Sequence, residues 1–313
     1  MNGTRVLEVS WAELIWAAIT VGKWRDDLFA HGRYSAFEAI SRAALHWANL
    51  REDHARHFVR SDAYDDLDPS EKSGVSYALG MTSAKVFAAR QLSTPWLLHV
   101  DRYRTPFGVT LRPGRSRPDL IGPRDPNRLR NWIVVEAKGR TNNLDDGTIT
   151  ALRRQKQTIL TIGGRAPVLS VGSATHFTND VLEVEVVDPE ARGRRSIELF
   201  GDAFGDAKRR FAAAYYQPFI DLLEEDGAET RRDLVRQRLA LADLTIGMPA
   251  HRFDAIRAFI GGEQEDIDLG FEAQGAVTDS ARSFAGADAV VVELGESWSD
   301  TLMRLEPRER MAQ

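Results

Sequence analysis

The first part of the chain has apolar residues at spacings of three and four, which is the periodicity of an amphipathic helix. This pattern covers residues 11–21 and residues 34–50. Ser35 is a suitable N-cap for the second segment, because its hydroxyl can accept a hydrogen bond from a free backbone N–H of the first turn. The sequence therefore predicts a helical N-terminal region.

A stronger helix-start signal begins at Asp68. It is followed by proline at the first helical position and by Glu71 three residues later, which together form the pattern of a capping box. We predict a helix from there to about residue 91. Gly74 and Gly80 each lower the helix propensity of this segment, so they indicate that the helix packs closely against a neighbour.

Short β-like runs separated by turn residues follow this helix, and the helical pattern returns beyond residue 201. The predicted strands are residues 96–100, 117–121, 132–136, 167–171, 181–187 and 289–293, and the later helices are residues 148–162, 203–225 and 231–244. The sequence thus predicts an α/β protein in three parts: a helical N-terminal region (1–67), a core (68–200) and an α-rich C-terminal region (201–313) that could contact a partner protein or a second copy.

Composition narrows the class of protein. The chain has 313 residues, of which 43% are hydrophobic and 28% are charged, as in ordinary globular proteins. Its formal net charge of −5 means that any binding to nucleic acid must use a local basic patch. It has no cysteine, which excludes disulfides and thiolate metal sites and fits a reducing cytoplasm. The early apolar run at residues 14–21 is too short to span a bilayer and lacks the basic start of a signal peptide, so we expect a cytoplasmic protein without membrane contact.

The candidate chemistry lies at the end of the predicted strand 132–136. Side chains alternate along a strand, so Glu136 and Lys138 point to the same face. A carboxylate and an ammonium at the end of an apolar strand are costly unless they meet water, a metal or a ligand. A hairpin closed at residues 125–127 would bring Asp119 beside Glu136 as a second carboxylate.

These residues resemble a known signature. Pro118-Asp119 followed, after an interval, by Glu136-Ala137-Lys138 is similar to the motif of the PD-(D/E)xK, or restriction-endonuclease-like, nucleases. The resemblance covers roughly residues 68–188. It implies a mixed central β-sheet flanked by helices, with Asp119 and Glu136 on adjacent strands as ligands of Mg²⁺ or Mn²⁺. Lys138 would position or activate the attacking water and offset the developing negative charge.

Two helices add candidates to this site. Glu71 resembles the acidic residue that many members carry on the helix before the sheet, where it would be a third catalytic and metal-binding carboxylate; alternatively, it only completes the capping box. Gln155 and Lys156 fall on the apolar side of the next helix, so one of them should point toward the sheet. Gln155 would orient water or contact phosphate as a supporting catalytic residue, or it would lie at a solvated helix edge.

Although the chain has a negative net charge, its arginines are concentrated near the candidate motif and give a local positive charge there. Those that precede Glu136 are Arg102, Arg104, Arg112, Arg115, Arg117, Arg124, Arg128 and Arg130, and Arg140, Arg153 and Arg154 continue the series. Such a series suits contact with phosphates, although each arginine alone could be merely solvated. We expect Arg115, Arg117, Arg140 and Lys156 to bind nucleic acid.

Together these features predict a metal-dependent nuclease, most simply a DNA endonuclease, with RNA not excluded. A role in restriction, repair or defence against foreign DNA follows from the resemblance alone. The alternative is a non-catalytic nucleic-acid-binding or assembly subunit that keeps a nuclease-like fold. A homodimer is a further expectation from the resemblance, because two DNA strands need two cuts.

Overall fold

The computed structural model describes residues 3–22, 33–114, 116–187, 204–270 and 281–298. Within these ranges the chain forms eight α-helices that are interspersed with strands. The helices are α1 (Trp11–Thr20), α2 (Arg33–Asn49), α3 (Asp62–Asp65), α4 (Pro69–Leu92), α5 (Val100–Tyr103), α6 (Asp146–Gln155), α7 (Phe204–Glu224) and α8 (Ala250–Gly261). None of the described helices is both long enough and apolar enough to cross a membrane.

Eight strands form a mixed central sheet. They are β1 (Gly3–Val6), β2 (Leu50–Glu52), β3 (Phe58–Arg60), β4 (Leu98–His99), β6 (Leu120–Pro123), β7 (Trp132–Gly139), β9 (Leu169–Thr178) and β10 (Val181–Val187); β5 (Thr110–Leu111) and β8 (Ile159–Thr161) pair separately. The order across the sheet is β2-β3-β10-β9-β7-β6-β4, and β1 also pairs with β10. All pairs in this sheet are antiparallel except β7 with β9, which α6 connects as a crossover. The prediction of a mixed α/β protein is therefore confirmed.

The central position of β7 follows from its composition. Its residues from Trp132 to Ala137 are all buried, and most are β-branched or aromatic, which suits a strand covered on both faces. Helices provide the cover: α4 lies against β7 and β9 on one face, and α6 lies against the same two strands on the other. Only the last residues of β7, Lys138 and Gly139, are partly exposed.

A second, antiparallel sheet occupies the C-terminal region and corrects the sequence-based prediction there. It consists of β11 (Glu229–Arg231), β12 (Leu234–Leu239), β13 (Leu244–Pro249), β14 (Ser283–Ala285) and β15 (Val291–Leu294), in the order β11-β12-β13-β15-β14. The prediction of a helix at 231–244 is therefore wrong, although α7 and α8 are the longest elements among the described residues of this region. The Arg, Gln, Leu and Ala residues there favour a helix, but antiparallel pairing of β12 with β13 overrides that weak preference.

Three smaller predictions also need correction. Ser35 lies inside α2, so it is not the N-cap of that helix. The helix predicted at 148–162 ends at Gln155, because Ile159 belongs to β8. The N-terminal region is not purely helical, since it contributes β1, β2 and β3 to the central sheet.

The three predicted parts of the chain share one hydrophobic core, which extends from Leu7 to Trp298. Helix α1 is buried along its whole length, and it packs against α2 and α4 as well as β14 and β15 of the second sheet. Trp11 contacts Trp47 and Phe58 edge to face, with ring centroids 4.6 and 4.7 Å apart. The N-terminal and C-terminal regions therefore share a hydrophobic core with the central sheet.

A buried polar cluster joins α4, α1, α7 and the second sheet. Lys85 and Asp288 are both fully buried, and their charged atoms lie 3.5 Å apart. Lys85 Nζ also donates to the Tyr215 hydroxyl at 2.7 Å, and Trp16 Nε1 donates to Asp288 Oδ1 at 3.0 Å. Burial lowers the pKa of Lys85 to about 8, although Asp288 opposes that shift. Because both side chains are shielded from water, each charge is stabilised mainly by the opposite charge and by the hydrogen bonds of the cluster.

We expect Asp288→Ala to lower the free energy of unfolding by about 3–5 kcal/mol, because it leaves Lys85 buried without its counter-charge. Lys85→Met combined with Asp288→Leu should lose less than the sum of the two single substitutions. Denaturant unfolding measures both effects. Glu229→Ala breaks an exposed ion pair with Arg236 and serves as the control, with little change expected. Equal losses in Asp288→Ala and in the control would contradict this account.

The backbone of α4 approaches the end of β7 more closely than side chains would allow. A methyl group built on Gly80 would lie 2.7 Å from the Gly139 nitrogen, and one built on Gly139 would overlap the Ser76 carbonyl oxygen. The expectation of close packing is therefore confirmed for Gly80. It is wrong for Gly74, where a methyl group would meet no atom within 4 Å.

These two glycines make a matched pair for an experiment. Gly80→Ala should lower the free energy of unfolding, because the helix must move away from β7 to admit the methyl group. Gly74→Ala, in the same helix, should raise it by up to about 1 kcal/mol, because alanine has the higher helix propensity. Thermal or denaturant unfolding of both variants tests the contact, and it would be contradicted if Gly80→Ala stabilised the protein as Gly74→Ala does.

Candidate metal-binding and catalytic site

The hairpin of β6 and β7 brings Asp119 next to Glu136. Leu120 pairs with Val135 in the antiparallel register, so Asp119, one residue before β6, lies opposite Glu136. Asp119 Oδ2 accepts a hydrogen bond of 2.9 Å from the backbone N–H of Ala137. The loop between the strands includes Asp125 and Asn127, as the sequence predicted, and Leu269 N donates to Asn127 Oδ1. The two carboxylates are thus held by strand pairing.

Glu136 and Lys138 lie on the same face of β7, as the strand alternation predicted. Lys138 Nζ is 2.6 Å from Glu136 Oε1; Glu136 is fully buried, whereas about a quarter of the Lys138 side chain is exposed. On the neighbouring strand β9, Gly172 pairs with Glu136 and Ala174 pairs with Lys138. These small residues leave room for the two charged side chains between the sheet and α6.

The protonation of both carboxyl groups is shifted. Burial, followed by the nearby charge of Asp119, raises the pKa of Glu136 to about 8, although the ion pair with Lys138 opposes this shift. Burial also raises the pKa of Asp119, against the opposing effects of the Ala137 N–H and of Lys138. Such shifts in neighbouring acids are a feature of functional sites, because burial disfavours the ionised form of each carboxyl group.

A cleft of about 280 Å³ gives solvent access to this group between α4 and the end of β7. Its lining includes Ser73, Tyr77, Asp119, Lys138 and Arg140. Glu136 is not among the residues that line it, and both of its carboxylate oxygens are buried without a well-aligned hydrogen bond within the described ranges. The cleft therefore gives solvent access to Asp119 and Lys138, and Glu136 is buried against Lys138.

The two carboxylates fit a hard divalent cation. Mg²⁺ is commonly held by one or two protein carboxylates, with water and substrate phosphate as the remaining ligands. Asp119 and Glu136 supply that number, and the incompletely bonded oxygen of buried Glu136 is suited to a cation. The residues that the structure describes contain no group of three or more His, Asp or Glu side chains close enough to share a metal.

Glu71 has a defined structural role. Asp68 Oδ1 accepts from Ser70 N and Glu71 N, and Glu71 Oε2 accepts from Asp68 N at 3.0 Å, which completes the capping box of α4. The capping interpretation is therefore confirmed. Glu71 is exposed and is not among the residues that line the cleft, so its suggested role as a third metal ligand has no support from its surroundings.

The two candidate residues at the end of α6, Gln155 and Lys156, have different surroundings. Lys156 is buried, and its Nζ donates to the carbonyl oxygen of Val187 at 3.0 Å. The expectation that Lys156 binds nucleic acid is therefore wrong, because its ammonium is inside the protein. Gln155 is partly buried, and its Oε1 atom lacks a hydrogen-bond partner in the described part of the chain. Its catalytic role stays a prediction.

The arginines divide into two groups along the β6–β7 hairpin. Arg140 lines the cleft and donates to Thr148, while Arg117 forms a 2.6 Å ion pair with Asp101. Arg117 also lines a surface depression of about 510 Å³ with Arg104 and Arg112. Arg115 lies outside the described residues.

The second group is far from the acids. Arg124, Arg128 and Arg130 flank the hairpin loop, beyond the pair of Pro123 with Trp132. That end is four residues from Glu136, or roughly 14 Å along a strand. The series of arginines is therefore not one continuous surface at the acidic pair.

Two residues near the site were not singled out from the sequence. Tyr77 lines the cleft, and the charges of Asp119 and Glu136, together with burial as the largest cause, raise its pKa. His99 on β4 is close enough for its charge to lower the pKa of Asp119. Helical spacing of Ser73, Ser76, Tyr77 and Gly80 on α4 was a usable signal for Tyr77. His99 had none, because it lies in an otherwise apolar strand.

Comparison of the chain with protein-family models, with curated proteins and with solved structures finds no match to any of them.

The raised pKa of Glu136 predicts a specific pH dependence in the presence of a chelator. The folded protein retains a proton that the unfolded chain releases near its ordinary pKa of 4.5, so this contribution to stability is lost as the pH rises through about 8. The stability of the wild type relative to Glu136→Gln should therefore fall by on the order of a few kcal/mol between pH 5 and pH 9.

Denaturant unfolding of the two proteins across this pH range measures the difference. Saturating Mg²⁺ should recover stability for the wild type at high pH, because a ligand bound only by the folded state stabilises it. Glu136→Gln should gain less. A stability difference that is independent of pH would contradict the shifted titration, and equal stabilisation of both proteins by Mg²⁺ would contradict Glu136 as a ligand.

Proposed function

We propose that the protein is a metal-dependent nuclease that hydrolyses phosphodiester bonds, most simply a DNA endonuclease, with RNA as a possible substrate. The observation that carries this proposal is the arrangement of Asp119, Glu136 and Lys138: two carboxylates face each other across adjacent strands, and a lysine lies against one of them at the wall of an open cleft.

In this proposal, Asp119 and Glu136 hold Mg²⁺, for which Mn²⁺ can substitute. The ion, when bound, would polarise the phosphate and lower the pKa of a water molecule. Lys138 lines the cleft and has a partly exposed side chain, so it could offset negative charge that develops on the phosphate. Ala137 fixes the orientation of Asp119 through its backbone N–H.

Positive charge near the cleft favours a polyanionic substrate. Arg140 lies on the wall of the cleft, and Arg104, Arg112 and Arg117 surround a depression on the segment that leads into Asp119. Arginines bind phosphates through several N–H groups at once and thereby position a strand. Lys156 takes no part, and Arg124, Arg128 and Arg130 could contact only nucleic acid that extends well beyond the cleft.

The fold supports the same proposal. A mixed sheet with helices on both faces, and two acids on neighbouring strands, are the features that resemblance to the PD-(D/E)xK nucleases implies. We therefore propose a restriction-endonuclease-like core, with β1–β3 completing its sheet and the second sheet packed beside it. Restriction, repair or defence against foreign DNA is the corresponding biological role by analogy.

A cleavage assay tests this proposal. Purified protein is incubated with supercoiled plasmid, linear duplex, single-stranded DNA and RNA, each with Mg²⁺, Mn²⁺ or a chelator. Cutting should require metal, and Asp119→Asn and Lys138→Ala should each lower its rate at least 100-fold, in the range that loss of a charge-stabilising group costs.

Two control variants change the same residue types, an aspartate and a lysine, outside the candidate site. Asp125→Asn changes a carboxylate at the opposite end of the hairpin, and Lys72→Ala removes a partly exposed lysine on α4. Both should keep near wild-type rates. Undiminished cutting by Asp119→Asn and Lys138→Ala would show that the site is wrong. Metal-independent binding without cutting of any substrate would favour the non-catalytic nucleic-acid-binding subunit.

A further inference from the structure

The surface depression of about 510 Å³ lies on the segment between α5 and β6. Its described lining consists of three arginines and three other residues, none of which is acidic: Arg104, Arg112, Arg117, Leu111, Pro113 and Gly114. Since the whole chain has 46 acidic and 41 basic residues, this lining is a local excess of positive charge. The volume lies within the range of about 300–1,000 Å³ for ligand pockets, so the depression has room for more than a lone ion.

The three guanidinium groups of the depression differ in their partners. Arg117 Nη1 donates to Asp101 Oδ1 at 2.6 Å, and both of these side chains are about half exposed. Arg104 and Arg112 are exposed, and their side chains form no hydrogen bond or ion pair within the part of the chain that the structure describes. Two of the three cations therefore have no counter-charge there, which favours the binding of an anion.

The depression is close to the candidate catalytic site. Arg117 precedes Asp119 by two residues, so their Cα atoms are at most roughly 7 Å apart. Asp101 follows Val100, whose backbone N–H donates to the Asp119 carbonyl oxygen at 2.9 Å. The charge of Asp101 also contributes to the raised pKa of Asp119. A strand that has one phosphate at Asp119 and extends along the preceding segment therefore brings another phosphate to the depression.

We propose that this depression is a subsite for an internal backbone phosphate of the substrate strand, and that Asp101 competes with this phosphate for Arg117. The proposal rests on the proposed nuclease function and adds to it an inhibitory contact within the chain. In the free protein, the Asp101 carboxylate occupies Arg117. When a strand binds, its phosphate accepts hydrogen bonds from Arg104, Arg112 and Arg117, and the Asp101 carboxylate returns to water.

The surroundings favour a phosphate within a strand over a free anion. Guanidinium groups present several N–H donors in a plane and match the oxygens of a phosphate. Leu111 and Pro113 add apolar surface, which suits the sugar on either side of a phosphodiester. An isolated phosphate would fill only a small part of the depression and would leave this apolar surface without a contact.

Salt dependence of binding tests the arginines. Fluorescence anisotropy measures the affinity for labelled 12-mers of thymidylate and of uridylate, with chelator, at several salt concentrations. Arg104→Ala and Arg112→Ala should each weaken binding and reduce the slope of log K against log salt by about 0.7, as expected for one lost phosphate contact on a single strand. Arg257→Ala removes an exposed arginine of α8 that pairs with Glu224, and it should keep the wild-type slope. Equal slopes in all four proteins would overturn the subsite.

Removal of Asp101 should have the opposite effect. Asp101→Asn should tighten binding by up to about fivefold, because Arg117 no longer has to leave an ion pair. Most of this gain should be lost in the Arg117→Ala background, since Asp101 acts through Arg117. Glu224→Gln removes the same charge from the exposed pair with Arg257 and should change nothing. Equal gains from Asp101→Asn and Glu224→Gln, or a full gain without Arg117, would overturn the competition.

Terminal phosphates show which kind of phosphate is bound. Each 12-mer is prepared with a 5′-phosphate, with a 3′-phosphate and with neither. Arg112→Ala should weaken binding of all three forms to a similar extent, because each of them has internal phosphates. If Arg112→Ala affects only a 12-mer that has a terminal phosphate, the occupant is the end of a strand and the proposal is wrong.

Binding and cutting together separate this proposal from the nuclease function. The effects of Arg112→Ala and Asp101→Asn on binding should persist in Asp119→Asn, which lacks a proposed metal ligand. Metal-dependent cutting without any effect of these two variants on binding overturns the subsite alone. The expected effects on binding without cutting of any substrate overturn the nuclease function alone. Absence of any binding to the 12-mers and of any cutting overturns both.

Discussion

The close approach of α4 to the end of β7 is the constraint on which the rest of the structure depends. Gly80 and Gly139 allow two backbones to touch where any side chain would separate them. The contact fixes the distance between α4 and the sheet. It thereby positions Tyr77 at the cleft and Lys85 near the second sheet. One helix therefore connects the candidate site with the buried cluster around Asp288.

The acidic pair is held by a different kind of interaction. Asp119 lies at the end of a short strand, and its orientation follows from one backbone hydrogen bond to Ala137. Glu136 lies in the middle of the sheet, where burial and a like charge make its ionised form unfavourable. In the proposed function a divalent cation held by both carboxylates would offset these effects, so the arrangement that disfavours two free carboxylates would favour a bound ion.

Local sequence patterns correctly predicted those parts of the structure that depend on interactions between residues close together in the chain. The capping box at Asp68 gave the start of α4, and the alternation along β7 placed Glu136 and Lys138 on one face. The hairpin brought Asp119 into register because its loop and its two strands are contiguous in sequence. Lys156 was misassigned, because a helical wheel shows which residues point inward but not that a lysine there will bond to Val187.

Long-range pairing decided what the sequence did not predict. Residues 234–239 have good helix formers, yet their pairing with β13 makes them a strand. His99 reaches the neighbourhood of Asp119 only because β4 pairs with β6. Lys85 finds its partner in a segment with no recognisable motif. These outcomes depend on contacts between distant segments, which periodicity within a window of residues does not report.

The buried cluster around Asp288 also bears on the order in which the protein is made. Trp16 and Asp288 are 272 positions apart in the chain, and they form a buried hydrogen bond. A ribosome releases the N-terminal residues first, so α1 and α4 must wait for the last strands before their polar groups are paired. The cleft reaches its final form only near the end of synthesis, and a shortened chain that keeps the acidic residues would lack the support that aligns them.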